Sequence, residues 1–294
     1  MSLYLAMDVG GTSIKYGVID DEGNVSNQGK VVTPDSLDKM YVEMEKIYHD
    51  LNQEVEGLAL SMPGAVDSEV GVIKGSSALD YIHGPNIKED LQARLNLKVT
   101  LENDANCAAL AEVWKGAASD VDDCMFIVSG TGIGGAVVKN RLIHRGKHLH
   151  GGEFGYMVAL NDIENDEYIS WSEAGSTVAV VRAVAKELGV EPETLDGKEI
   201  FDHASENPVY QKYVNQYFSV LAMGIYNLQY VYDPEKIVIG GAISARDDLL
   251  EQLEKHLDKI YTKISHAKIR PQVVKCKFAN QANLIGAVYN FINS

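Results

Sequence analysis

The sequence predicts an α/β protein made of two similar halves, and three observations carry that expectation. A strand, a glycine-rich turn and a second strand occur near the N-terminus at 3–19 and again at 124–139. Short apolar runs alternate along the chain with longer stretches of helical periodicity, the pattern of layered α/β folds. The length, 294 residues, suits two domains or one large one at roughly 100–200 residues per domain.

The elements follow in order. Leu3 to Met7 reads as a short buried strand running into Asp8-Val9-Gly10-Gly11-Thr12, with a second strand from Lys15 to Ile19. Asp20-Asp21-Glu22-Gly23-Asn24 is turn chemistry, and a third strand spans Val25 to Val32. Asp35 or Ser36 caps a helix with Leu37, Met40, Met44, Ile47 and Leu51 on one face. Gly57 to Leu60 is a strand ending in Ser61-Met62-Pro63-Gly64. A short helix, Ile87 to Leu95, leads to strand Val99–Leu101, then to Glu102-Asn103-Asp104-Ala105-Asn106 and an Ala-rich helix from Ala105 to Trp114. A hinge is expected near Gly116-Ala117-Ala118-Ser119. Beyond it come strand Cys124 to Val128, glycine-rich Ser129 to Gly135 and strand Ala136 to Lys139. Helices from about Glu173 to Leu188 and Tyr210 to Tyr232 follow, then strand Lys236–Ile239 before Gly240-Gly241. Helix Asp247–Lys263, strand Gln272–Cys276 and helix Ala282–Phe291 close the chain.

Composition narrows the function. Hydrophobic residues make up 46% and charged residues 23%, a globular mixture. Lys and Arg total 26 against 42 Asp and Glu, a formal charge of −16. Such a chain repels phosphate backbones and anionic lipid, so neither nucleic acid nor membrane is an expected partner. A phosphate held locally by backbone N–H groups is still allowed. Cys107, Cys124 and Cys276 are sparse, odd in number and without C-x-x-C spacing, which points to a reducing compartment without structural zinc. The first residues lack a basic n-region, and no apolar run reaches the ~18 residues of a membrane helix. The expectation is a soluble cytoplasmic protein.

Glycine-rich turns expose successive backbone N–H groups to phosphate oxygens. Asp8-x-Gly10-Gly11-Thr12-x-x-Lys15 adds a carboxylate, a hydroxyl and a cation, and Ser129-Gly130-Thr131-Gly132-Ile133-Gly134-Gly135 adds two hydroxyls. Gly240-Gly241 is a third such turn. Each alone could be a tight hairpin; three at strand ends favour phosphate binding. Gly130, Gly132 and Gly135 match G-x-G-x-x-G, but strand-like Ala136-Val137-Val138 follows where a dinucleotide fold needs a helix. No P-loop motif occurs. Asp104, at a strand-to-helix junction, suits either a general base in a cleft or a plain helix N-cap.

The motif set resembles the ROK family (repressor, open reading frame, kinase). The blocks are Asp8-Val-Gly-Gly-Thr12, Pro63-Gly64, Glu102-Asn-Asp-Ala-Asn106, Gly130-Thr-Gly-Ile-Gly-Gly135, Gly152-Glu153-x-Gly155 and Gly240-Gly241, in family order across essentially the whole chain. The resemblance implies an actin/hexokinase-like (ribonuclease H-like) duplicated fold, two α/β domains around a cleft. It implies domains at 1–116 and 117–281, with the last helix, 282–294, returning to the first. It implies an ATP-dependent sugar kinase using Mg²⁺, and a homodimer in many members. Asp104 then matches the catalytic base and Asn103 a sugar ligand. Glu153, and less directly Glu173, match sugar-binding glutamates, with Gly64, Ala65 and His83 also at the sugar. Asp8, Gly10, Gly11, Thr12 and Lys15 belong to the first phosphate loop, Thr131 and Gly132 to the second, and Gly240 and Gly241 to the nucleotide side.

The chain departs from the family in two places. Many members follow the Glu153-type residue with a histidine and a Cys-x-Cys-Gly-x-x-Gly-Cys zinc site. Here Tyr156 follows Gly155, and Val158 to Ser172 holds no cysteine. No structural zinc is expected, and Tyr156 with packing around Trp171 is expected to brace the loop. The His144, His148 and His150 cluster reads as a solvated basic loop. Glucose-type members usually carry Asn-Leu where Ala78-Leu79 stands. The change removes a polar contact and opens room beside the anomeric carbon, as in the family's β-glucoside kinases. The expected acceptor is therefore the 6-hydroxyl of a β-glucoside such as cellobiose, or of glucose. Alternatives are fructose, mannose or N-acetylmannosamine as acceptor, or a sugar-sensing ROK protein without catalysis. Repressor members carry an N-terminal helix-turn-helix, for which the start at Asp8 leaves no expected room.

Overall fold

The fold is given by a computed structural model that describes residues 2–278 and 280–294. In chain order it begins with strands β1 (Leu3–Val9), β2 (Ser13–Asp20) and β3 (Val25–Val32), helix α1 (Leu37–Asp50) and strands β4 (Gly57–Met62), β5 (Ala65–Asp67) and β6 (Val72–Lys74). Helix α2 (Ile87–Leu95), strand β7 (Lys98–Asn103) and helix α3 (Asp104–Lys115) follow. Next come strands β8 (Cys124–Ser129), β9 (Ile133–Lys139) and β10 (Leu142–Ile143), then β11 (Val158–Asp162) and β12 (Glu167–Ser170). The remainder is α4 (Trp171–Gly175), α5 (Thr177–Leu188), α6 (Gly197–Asp202), α7 (Pro208–Tyr232), β13 (Lys236–Gly240), α8 (Leu249–Lys263), β14 (Val273–Lys275) and α9 (Ala282–Ile292).

The chain falls into two compact units. The first comprises the chain up to Asp120, with Arg141–Gly151 and Lys277–Ser294. Its sheet is ordered β3-β2-β1-β4-β7, with β1 antiparallel to β2 and parallel to β4, and β4 parallel to β7. Helices cover both faces of the parallel part, so β4 is buried along its whole length and reads as an uninterrupted small and apolar run. The edge strand β3 alternates between exposed and half-buried residues instead. On one face Met40, Met44 and Ile47 of α1 pack with Leu91 and the β1, β4 and β7 side chains. On the other, Leu284, Val288 and Phe291 of α9 pack with Ala6, Ala59 and Cys107. Gly286 lets α9 press on α3: a Cβ there would lie 1.7 Å from the Cys107 carbonyl oxygen.

The second unit comprises Val121–Asn140 and Gly152–Cys276. Its sheet runs β9-β8-β13-β14, with β8 antiparallel to β9 and parallel to β13, and β13 parallel to β14. This repeats the β2-β1-β4-β7 arrangement of the first unit, strand for strand. The duplication is that of the actin/hexokinase-like fold. The core is centred on α7, whose Tyr217 and Phe218 meet Phe201 in edge-on contacts.

One local expectation differs from the structure, and one hairpin was not expected. The helix expected from Glu173 to Leu188 is two helices, because Ser176 leaves helical geometry and caps α5 by accepting from Ala179 N at 3.1 Å. The stretch from Val158 to Ser170 forms the β11–β12 hairpin. Its turn is an Asx arrangement in which Asp162 accepts from Glu164 N and Asn165 N.

Candidate active site

In the first unit the sheet register aligns the chemistry. Lys15 pairs with Asp8, Asp8 with Ser61 and Ser61 with Glu102, so four polar residues cross the sheet in one row. Asp8 is buried, and its Oδ1 accepts from Ser61 Oγ at 2.8 Å and from Asn283 Nδ2 of α9 at 2.9 Å. Lys15 Nζ stands 3.7 Å from Oδ2. The glycine turn follows at once. Gly10 N donates to Ser13 O at 3.0 Å, while Thr33 holds the turn from behind through Oγ1 to Gly10 O and N to Thr12 O. Ala78 sits on this turn, its Cβ 3.0 Å from where a Gly11 Cβ would be. The loop expected to choose the sugar thus touches the Gly10–Thr12 turn.

Two strands away, β7 ends at Asn103 and α3 begins at Asp104. The helix cap is Asn103, whose Oδ1 accepts from Asn106 N at 3.1 Å. The capping alternative for Asp104 therefore falls to its neighbour, and Asp104 is the first helical residue, with Oδ1 accepting from Ala105 N at 2.8 Å. Asn103 Nδ2 donates to Gly64 O at 3.1 Å, which brings Gly64 and Ala65 beside the Asn103–Asp104 pair. His83 packs on Gly64, with Nε2 2.9 Å from Ser77 Oγ and a buried Nδ1 that lacks a partner among the described residues. Its ring braces the Gly64 turn by packing.

In the second unit Thr131 is exposed at the tip of its turn. Gly130 N donates to Gly132 O, Thr177 Oγ1 to Gly130 O at 2.8 Å, and Ile133 N to Ser172 Oγ at 3.0 Å. The turn is therefore fixed by α4 and α5. Gly241 has φ of +85°, and a Cβ there would strike Ser129 O at 2.3 Å, so the second glycine pair lies against the first turn. Glu153 is exposed between buried Gly152 and buried Phe154. Glu173 is committed differently. Its Oε2 accepts from Ser170 N and Oγ in a capping box, and the Ser170 hydroxyl bond, followed by the backbone bond, lowers its pKa.

Some expectations and omissions concern the surroundings. Tyr156 is 77% exposed, so it does not brace the loop. That work falls to Trp171, which is 1% exposed, packs on Phe154 and fits against Gly175 and Gly224. His144, His148 and His150 are exposed. No group of three or more His, Cys, Asp or Glu is placed to hold a metal among the described residues. No described helix is long and apolar enough to cross a membrane. Sequence reading missed two buried carboxylates. Glu102, fully buried, pairs with Arg145. Glu112, 1% exposed, accepts from the N–H groups of Ala117, Lys277 and Phe278. A glutamate within an apolar strand end or an Ala-rich helix was the available signal, since charge is rarely buried unpaired.

Comparison with known proteins agrees with this geometry. The ROK family model matches residues 4–293. This chain belongs to the ROK family. A β-glucoside kinase of Listeria innocua is 33% identical over 98% of this chain and 96% of its own. The structure of a Streptococcus pneumoniae ROK protein in complex with sucrose is 35% identical, with a TM-score of 0.91, covering 99% of this chain and 98% of that one. A ROK glucokinase from Streptomyces griseus, in complex with glucose and AMPPNP, is 25% identical with a TM-score of 0.78, covering 97% and 98%.

Proposed function

We propose that this ROK protein is an ATP-dependent carbohydrate kinase whose acceptor is the 6-hydroxyl of a β-glucoside, with glucose as the simpler substrate, and that Asp104 is the general base. One observation carries the reading most directly. The Gly10–Thr12 turn and Asp104 stand at the carboxyl ends of β1 and β7, two strands apart in the same sheet. At about 4.8 Å per strand the separation is about 10 Å, room for a phosphoryl group and an attacking hydroxyl. Ligands of α/β sheets bind at such strand ends.

The chain's residues divide the work. Gly11 and Thr12 N–H groups, with Lys15, receive phosphate oxygens in the first unit; Thr131, Gly132, Gly240 and Gly241 do so in the second. Asp8 spends Oδ1 on Ser61 and Asn283 and keeps Oδ2 toward Lys15. A single carboxylate of this kind suits Mg²⁺ arriving with ATP, since that ion keeps several waters and takes few protein ligands. Bound there, Mg²⁺ would neutralise phosphate charge. Asn103, held by Gly64, orients the sugar, and Glu153 accepts from its hydroxyls. Asp104 takes the proton of the attacking hydroxyl as the bond to phosphorus forms.

The β-glucoside assignment is supported by Ala78, a small residue on the phosphate turn, and by the activity in the name of the Listeria innocua relative. The test is a sugar panel with ATP and Mg²⁺, read as ADP release. Cellobiose and glucose are expected to be turned over. Asp104→Asn should reduce kcat by about 10²–10⁴-fold, with sugar KM little changed. Turnover of glucose without cellobiose removes the β-glucoside assignment, and near-normal kcat in Asp104→Asn removes the base.

A further inference from the structure

We infer that the ion pair between buried Glu102 and half-buried Arg145 is the positioning device for the catalytic turn, fixing where Asp104 stands. The inference rests on the reading of Asp104 as base and adds two residues to it.

Glu102 ends in a fully buried carboxylate whose two oxygens are both occupied. Oε2 receives Arg145 Nε at 2.9 Å and Arg145 Nη2. Oε1 receives Asn103 N at 2.9 Å and Asn106 Nδ2 at 2.9 Å. The second pair of donors matters most. Asn103 N is the backbone of the α3 cap, and Asn106 is the residue whose N–H that cap receives. One carboxylate therefore holds both ends of the strand-to-helix turn, with Asp104 between them. Arg145 is itself anchored. Its Nη2 reaches Asn290 Oδ1 of α9 at 3.4 Å, and its carbonyl accepts from Gly151 N at 2.8 Å.

This pair is a poor source of net stability, because taking the Glu102 carboxylate and part of the Arg145 guanidinium out of water offsets much of their attraction. What it supplies is direction: a guanidinium meets a carboxylate in a narrow range of geometries. At this position direction is what the chemistry needs, because a misplacement of about 1 Å can lower a rate on the order of 10²-fold. Neither residue reaches the reacting atoms in this account; both act through Asp104.

The experiment compares Glu102→Gln, Arg145→Met, Arg145→Lys and Asp104→Asn, singly and as Asp104→Asn with Arg145→Met. Each protein is checked for folding by its melting curve, and kcat and KM are measured for sugar and ATP. Glu102→Gln and Arg145→Met should lose on the order of 10²-fold in kcat, with both KM values within about threefold of wild type. Arg145→Lys should recover part of the loss. Arg145→Met should cost nothing further once Asp104 is asparagine, since the two then act as one unit. If Asp104→Asn keeps wild-type turnover, it is the base reading that fails. The positioning claim fails if Asp104→Asn is inactive while folded Glu102→Gln and Arg145→Met keep kcat within about twofold. A rise in ATP KM as large as the fall in kcat also overturns it, because Arg145 would then be a phosphate ligand. Equal additional loss in the double variant overturns it as well.

Discussion

Replacing Gly286 by alanine tests how tightly α9 fixes the helix that bears Asp104. A Cβ at 286 would lie 1.7 Å from Cys107 O, 2.5 Å from its carbonyl carbon and 2.9 Å from its Cα, all backbone atoms of α3 that no rotamer change can move. Ordinary contact needs about 3.4–4 Å, so the helices must part by about 1.5 Å or more. Alanine favours a helix interior over glycine by ~1 kcal/mol. Overpacking costs ~1–3 kcal/mol and sometimes more. With rigid backbone on the far side the steric term wins, and a net loss of about 2 kcal/mol is expected, or about 3 °C in Tm for a chain of this length. Cys107 lies one helical turn beyond Asp104, so separating the helices shifts the carboxylate too. Calorimetry and steady-state kinetics on the same preparation should show a lower Tm and a kcat reduced by tenfold or more, on the order of 10²-fold at most. A Gly286→Ala protein with raised Tm and unchanged kcat would show that the α9–α3 contact neither resists the added methyl nor holds Asp104.

Two further outcomes are expected. Ala78→Asn puts a larger polar side chain beside Gly11 and should shift the ratio of kcat/KM for cellobiose over glucose toward glucose by about tenfold or more; an unchanged ratio would show that this loop does not select the acceptor. His256 of α8 is 3% exposed, and burial, the largest cause, holds its pKa below the ordinary imidazole value of about 6.5. Above about pH 6.5 both folded and unfolded imidazole are neutral, so stability is full. As the pH falls below that value the unfolded chain takes up a proton first, and stability is lost until the folded pKa is passed. Tm should therefore decline on the acid side of pH 6.5, and His256→Gln should flatten that decline; parallel Tm–pH curves would rule His256 out.

The elements best read from sequence are those whose burial sets a period. Leu3 to Met7, Gly57 to Leu60 and Lys236 to Ile239 lie inside parallel or central strands, and the Met40, Met44 and Ile47 face belongs to one buried helix side. The short hairpin at Val158–Ser170 was hidden because both its strands are largely exposed, with little alternation to mark them. The break at Ser176 was hidden because the flanking residues keep helical periodicity on either side. At the site the glycine turns and the Asn103–Asp104 pair were legible as motifs, since backbone N–H groups and a strand-end carboxylate leave a mark in local sequence. The Glu102–Arg145 contact and the Glu112 contacts with Lys277 and Phe278 were not, because those partners lie 43 and 165 or more residues away. Tyr156 was misread for the same reason: nothing local distinguishes an exposed aromatic from a bracing one, and the actual brace depends on Gly224, far along α7.

The proposed function divides the chemistry unequally between two halves of the same topology. Holding phosphate through backbone N–H groups needs little more than a glycine turn after a strand, and the duplicated topology supplies such a turn in each half. Proton transfer needs a side chain, and here the two sheets diverge. The row that crosses the first sheet is Lys15, Asp8, Ser61 and Glu102. In the second sheet Val128 pairs with Gly134 and Gly240, and nearby Ser129 Oγ accepts from Tyr217 OH inside the core. A charged row at strand ends is costly unless each charge is paired, and the first unit meets that condition at Asp8 and Glu102 through Ser61, Asn283, Lys15 and Arg145. The second unit repeats the glycine turn, and its row there consists of Val128, Gly134 and Gly240. With Asp104 as the proposed base, the polar network around it is what an acceptor-activating half requires beyond the shared turn.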